Sequence, residues 1–251
     1  MVQQRPRVLV KLSGEVLAGE KKRGLDSDVL ERVAAELVAA QRSGAEAAIV
    51  QGGGNIFRGL SEAARRMNRV AADQIGMLAT VINGLALTDA ILRQGGRAAL
   101  FTSFAVGPIG RAYSPELARA ALEQGELAIL AGGTGNPFFS TDSAAALRAA
   151  ELGIKLILKG SKVDGVYDCD PAVHPSAKRF TELSLSEVIE RRLGVIDLTA
   201  AALCLENGVD IRVYQMTEPD AIRRAALGES LGTLVRAQDK KEGKDAKKPN
   251  P

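Results

Sequence analysis

Short apolar runs alternate with stretches of helical periodicity along this chain, and most of the runs end in glycine or small polar residues. Arg7 to Leu12 reads as a buried strand entering Ser13-Gly14, and Ala47 to Val50 as a second that runs into Gly52-Gly53-Gly54-Asn55. Ala98 to Phe101 is a third. Leu127 to Ala131 is a fourth, ending in Gly132-Gly133-Thr134-Gly135. Ile154 to Leu158 is a fifth, followed by Lys159-Gly160-Ser161. Between them, Asp28 to Arg42 carries Val29, Leu30, Val33, Ala34, Leu37 and Val38 at helical spacing, with Asp26 or Ser27 as its cap. Helices are also expected over Ala71 to Arg93, over Pro115 to Gln124 behind a Ser114 cap, and over Thr141 to Leu152.

This order predicts an α/β fold, a three-layer sandwich with a central, mostly parallel sheet and helices on both faces. Ligands of such sheets bind beyond the carboxyl ends of the strands. Ser13-Gly14, Gly52 to Asn55, Gly132 to Asn136 and Lys159 to Asp164 all fall there. With 251 residues, one catalytic domain over 1–237 is expected, followed by a basic, disordered tail over 238–251. That tail holds five lysines against Asp239, Glu242 and Asp245, which is +2 of the net +3 and leaves +1 for the body. The basic pI is therefore no sign of a nucleic-acid partner. Aromatics at 4% also argue against stacking along a single strand. Cys169 and Cys204 lack metal-ligand spacing, and no uninterrupted apolar run reaches the ~18 residues of a membrane span. A cytoplasmic protein without a membrane partner is the expectation.

Glycine lets backbone N–H groups approach an anion, and a following helix adds its positive dipole end. One glycine cluster alone is more often a turn; several at the same sheet edge point to phosphate. There is no Walker A pattern and no protein-kinase signature set. Phosphoryl transfer requires positioning and cations more than covalent chemistry. Lys11, Arg58, Lys159 and Lys162 are the cations near this edge, and Lys11 interrupts an apolar strand. Asp142, early in a predicted helix, has capping as its plainer reading; Thr141 can cap while Asp142 holds two lysines in register.

Lys11-Leu12-Ser13-Gly14-Glu15, Gly52 to Gly59, Met67-Asn68-Arg69 through Asp73, Gly76 to Thr80 and Gly132 to Asp142 resemble the bacterial UMP kinases of the amino acid kinase fold family. The likeness runs from about Pro6 to Arg236, and Gly135 to Asp142 is its most specific piece. Acetylglutamate kinase and aspartokinase share the early lysine but not that piece. The resemblance implies transfer of the γ-phosphoryl group of ATP to UMP in pyrimidine nucleotide biosynthesis, with Mg²⁺ arriving on ATP and no metal site of the protein's own. It implies a catalytic set of Lys11, Arg58, Asp142 and Lys159. ATP would meet Lys11, Leu12, Ser13, Gly14, Gly54, Arg58, Ser161, Tyr167 and Asp170. UMP would meet Gly53, Asp73, Thr134, Gly135, Asn136, Pro137, Phe138, Phe139, Ser140 and Thr141. It also implies a homohexamer, with the apolar helix over Gly76 to Leu92 available for assembly, and GTP and UTP as effectors of an allosteric enzyme. Thr88 and Leu92 stand where some relatives bind GTP with basic residues and a histidine, so the usual GTP control does not carry over intact.

Two other functions compete with this one: a relative acting on a carboxylate or carbamate, and a nucleotide-binding regulator without turnover. Asp73 and the Asn136-Pro137-Phe138-Phe139 segment speak against the first. Retention of Lys11, Arg58 and Asp142 together speaks against the second. His174, in a proline-flanked loop, reads as a surface residue.

Overall fold

A computed structural model describes residues 6–21, 23–57, 66–174 and 176–237. Arg58 and the 238–251 tail lie outside these residues. The described strands are β1 (Arg7–Leu12), β2 (Glu46–Gln51), β3 (Ala98–Thr102), β4 (Arg111–Ala112), β5 (Leu127–Ala131), β6 (Leu156–Ser161), β7 (Glu182–Ser184), β8 (Asp210–Gln215) and β9 (Thr233–Arg236). They form one sheet in the order β4-β3-β5-β2-β1-β6-β8-β9-β7. Every pairing is parallel except β8 with β9.

The helices are α1 (Gly14–Leu17), α2 (Ser27–Arg42), α3 (Arg69–Arg93), α4 (Pro115–Glu123), α5 (Thr141–Leu152), α6 (Leu185–Glu190), α7 (Leu198–Asn207) and α8 (Ala221–Ala226). Strand alternation sorts them into two layers. Val8, Val10 and Leu12 point into the core under α2, α3 and α8. Leu9, Ala48, Val50 and Ile157 point into the core under α4, α5 and α7. The expected three-layer α/β sandwich is the fold. Ala144, Ala145, Ala146 and Ala149 are buried on α5 and belong to the core layer on that side of the sheet.

The helix starts follow from local chemistry. Asp26 accepts from the Asp28 and Val29 amides, and Ser114 accepts from the Leu117 amide ahead of Pro115. The α5 cap is Ser140 rather than Thr141: its hydroxyl accepts from the Asp142 and Ser143 amides, which makes Thr141 the first helical residue. The fifth strand also shifts from its expected place. Gly153 ends α5 in the left-handed conformation at φ 69°, Ile154 and Lys155 are used in the connection, and β6 runs over Leu156–Ser161. Its register with Asp210–Gln215 of β8 carries it through Lys159.

By length and composition alone α3 is apolar enough to cross a membrane. In the fold one side of it packs on the sheet through Ala79, Val81, Leu87, Ala90 and Ile91. Leu78, Ile82, Leu85 and Leu92 remain exposed at spacings of four, three and seven residues, one stripe of the helix.

Candidate active site

Lys11 and Lys159 occupy paired positions on the adjacent parallel strands β1 and β6. Pairing puts both side chains on the same face, the one covered by α5. Asp142, in the first turn of α5, sits over them. Its Oδ1 lies 2.7 Å from Lys11 Nζ and its Oδ2 accepts from Lys159 Nζ at 2.6 Å. Lys159 also donates to the Val195 carbonyl at 2.5 Å. All three side chains are largely buried, at 10%, 15% and 17% exposure for Lys11, Asp142 and Lys159. Two ammonium groups are thus held side by side by one carboxylate, with a net charge of +1 aimed at the carboxyl edge of the sheet.

Burial pushes the Asp142 carboxyl up, but Lys11 and Lys159 together outweigh it and hold it below the ordinary aspartate value of 3.8. Asp142 is therefore a poor proton acceptor. Burial also pushes the Lys159 ammonium below its ordinary 10.5, with Asp142 opposing that fall and Lys11 adding to it.

Two clefts border on this cluster or on residues next to it. The larger, about 570 Å³, is lined by Lys159, Ser161, Val163, Gly165, Tyr167, Asp170 and the 191–195 segment. The smaller, about 240 Å³, is lined by Gly53, Gly54, Phe57, Asp73, Gly76, Met77, Thr80, Gly133, Thr134, Asn136, Phe139, Ser140 and Thr141. Lys159 thus forms part of the first wall and Thr141, next to Asp142, part of the second. The Ser13 side chain makes no capping bond at the head of α1. A Cβ on Gly14 would lie 2.7 Å from Gly52 O, so the two loops touch through backbone that tolerates glycine alone. Among the described residues nothing lies within 4 Å of where a Gly54 Cβ would stand.

The amino acid kinase family matches residues 6–215. A uridylate kinase from Bacteroides thetaiotaomicron is 45% identical over 91% of this chain and 97% of its own length. Another from Xanthomonas oryzae pv. oryzae is 46% identical over 92% and 97%. The crystal structure of a UMP kinase from Bacillus anthracis superposes with a TM-score of 0.89 at 35% identity, covering 93% of this chain and 97% of that one. The chain belongs to the amino acid kinase family, among its uridylate kinases. A UMP kinase structure from Ureaplasma parvum agrees closely as well, with a TM-score of 0.87 at 33% identity over 93% of this chain and 99% of that one.

Within this uridylate kinase fold the residues picked out from sequence separate into groups. Lys11, Lys159 and Asp142 converge. Ser161, Tyr167 and Asp170 line the larger cleft together. Gly53, Asp73, Thr134, Asn136, Phe139, Ser140 and Thr141 line the smaller one, and Gly54 joins them there. Asp73 accepts from Arg69 Nε at 2.8 Å and from the Phe138 amide at 2.7 Å, both on Oδ2, which leaves Oδ1 for a ligand donor among the described residues. Gly135, Pro137 and Phe138 stand outside that lining. Gly135 packs on Ser103, and the Phe138 ring lies under the Arg69 guanidinium at 5.3 Å. Leu12 is fully buried, and its carbonyl accepts from the Gly52 amide at 2.9 Å, so it anchors the glycine loop from below. Lys162 is exposed, pairs with Glu15 at 3.5 Å and lines neither cleft. His174 is exposed, as its loop implied.

Sequence reasoning missed the C-terminal support. Val195 and Asp197 precede α7, and Asp197 accepts from the Ser140 and Ser143 hydroxyls and the Ala200 amide. Arg191, Arg192, Leu193 and Gly194 complete the larger cleft. The only local signal was Asp197 as an N-cap ahead of an apolar run.

Proposed function

We propose that this chain transfers the γ-phosphoryl group of ATP to UMP, with Lys11, Asp142 and Lys159 at the point of transfer. The observation that carries the reading is the buried Lys11–Asp142–Lys159 cluster, with Lys159 in the wall of one cleft and Thr141, next to Asp142, in the wall of another that also takes in Gly133, Thr134, Asn136, Phe139 and Ser140. ATP takes the larger cleft, its nucleoside against Ser161, Tyr167 and Asp170 and its phosphates running past Lys159 toward Ser13 and Gly14. UMP takes the smaller one, with Asp73 accepting from its hydroxyls, since an ionised carboxylate only accepts and repels phosphate.

Charge builds on the equatorial oxygens of the transferred group, and Lys11 and Lys159 face it with fixed cations that need not reorganise. Asp142 orders the lysines and takes no proton, because both its oxygens already accept from ammonium groups. Arg58 adds a third cation by family resemblance alone. Among the described residues no group of three His, Cys, Asp or Glu could hold a metal. With the Asp142 oxygens engaged, the residues present fit a Mg²⁺ ion carried by ATP's own phosphates, which supplies further charge neutralisation when bound.

The exposed Leu78–Ile82–Leu85–Leu92 stripe fits burial against a second copy, in line with the hexamer that the family resemblance implies. GTP and UTP are the effectors to test. Thr88 bonds its own helix through Gly84 O at 2.8 Å, and Leu92 carries no charge, so neither offers a phosphate contact on α3. Two free thiols and nucleotide substrates suit the cytoplasm and pyrimidine nucleotide biosynthesis. A coupled ADP-release assay with UMP, CMP and dCMP, with and without GTP and UTP, tests the reading. ADP release that depends on UMP above the other acceptors is expected. Turnover with an amino acid derivative but not with UMP would overturn it.

A further inference from the structure

Asn83, on the buried side of α3, and Asn55, at the end of the glycine loop, form a reciprocal pair of side-chain amides. Asn83 Nδ2 donates to Asn55 Oδ1 and to Gly52 O, both at 2.7 Å. Asn55 Nδ2 donates to Asn83 Oδ1 at 3.0 Å and to Gly24 O at 2.7 Å. Every amide hydrogen and both carbonyls of the pair are used, with Asn83 fully buried and Asn55 nearly so. Two apolar side chains would fill such a place without the polar desolvation cost; a fully satisfied polar network adds a fixed register.

That register reaches both phosphate loops. A Cβ on Gly14 would stand 2.7 Å from Asn55 Oδ1, so the Ser13-Gly14 turn rests directly on the pair. The Gly52 carbonyl bonded by Asn83 begins the other loop, and a Cβ on Gly53 would stand 2.7 Å from Gly76 O of α3. Neither asparagine lines either cleft.

We infer that Asn83 and Asn55 are positioning residues that hold the Ser13-Gly14 turn and the Gly52–Gly54 loop in the mutual register phosphoryl transfer requires. The inference rests on the reading above, in which these two loops flank the transferred group.

Asn83→Asp in the full chain tests it. The carboxylate keeps the shape but cannot donate, and it sets oxygen against Gly52 O and Asn55 Oδ1. kcat for UMP-dependent ADP release should fall at least about tenfold, a larger factor than the rise in either KM, because neither asparagine lines a cleft and the loop they hold presents only Gly53 and Gly54 to one. Leu122→Ala, buried in the opposite core layer, and Ile91→Val, two turns further along α3, serve as controls that lower Tm from outside the pair. All are assayed well below their own Tm. If Asn83→Asp does not yield folded protein, the neutral Asn83→Ser carries the same expectation. A kcat loss beyond that of controls with matched Tm supports the inference. A kcat that tracks the controls, or equals wild type, overturns it alone. A wild-type chain without UMP-dependent turnover overturns the functional reading and this inference with it.

Discussion

Replacing Asp142 with asparagine is the sharpest perturbation of the site, because it changes charge while keeping shape. The carboxylate bonds two lysines at 2.7 and 2.6 Å, and no member of the trio is more than 17% exposed. An amide offers one oxygen to one ammonium and turns an NH₂ donor toward the other. Two cations about 4 Å apart at an effective dielectric near 20 repel by about 4 kcal/mol, a cost the carboxylate now offsets. Breaking a buried pair by removing one partner costs roughly 3–5 kcal/mol, and loss of a proton from Lys159, already depressed by burial, would relieve part of it. Either outcome disorders or discharges a cation that the proposed function sets against the transferred group. Loss of one such preorganised group lowers kcat by about 10²–10³-fold. Asp142→Asn should therefore cut kcat by that factor in the ADP-release assay, with UMP affinity by calorimetry within about threefold of wild type. The alkaline limb of the variant's kcat profile should also move to lower pH, since burial already holds the Lys159 pKa below its ordinary value and Asp142 is the main group opposing that fall. An unchanged kcat would remove Asp142 from the mechanism. A loss confined to UMP affinity would make it a binding residue instead.

Three further outcomes follow from the same geometry. Asp73→Ala should raise the KM for UMP about tenfold or more and leave the KM for ATP alone; a change in the ATP value only would mean the two clefts are assigned in reverse. Gly53→Ala would put a methyl 2.7 Å from Gly76 O and 2.8 Å from the Ala79 Cβ, so it should destabilise by about 1–3 kcal/mol in urea titrations and impair turnover; a wild-type midpoint would refute the close packing of that loop. The Asp142 pKa sits below 3.8, so its contribution to stability is complete above that value and is lost as pH falls through the lower folded one. The Tm gap between wild type and Asp142→Asn should accordingly stay constant from about pH 8 to about pH 5 and close only in stronger acid; a gap that closes already near neutrality would contradict the sign.

How much of this was legible in the chain depended on how local each signal is. β1, β2, β3 and β5 and the helices α2, α4 and α5 announce themselves because apolar period, cap and glycine stop coincide within one segment. β7, α6 and β9 are only three, six and four residues long, too short for a period to stand out. β8 forms its antiparallel pair with β9 through contacts that no local pattern encodes. The same limit applies to the site. The Gly133–Thr141 segment could be read as one continuous motif, whereas Val195 and Asp197 act on Lys159 and Ser140 from across the fold.

The lysine pair shows what turns a weak sequence signal into a site. A lysine in an apolar strand usually reaches solvent from an edge, yet β1 is flanked on both sides, by β2 and β6. Lys11 shares its face with Leu9, and Lys159 shares its face with Ile157, both in the core layer beneath α5. Side chains two residues further along must leave that core at the same level, because Leu9 pairs with Ile157 and Lys11 with Lys159 in one register. A slip of one residue would send one lysine into the opposite layer, among Val10, Leu158 and Tyr214. Two buried cations at one level need an anion between them, and the α5 start capped by Ser140 delivers Asp142 there. The geometry of the cluster is thus a consequence of strand register first and of helix capping second, which is why neither lysine nor aspartate can be moved by one position without losing it.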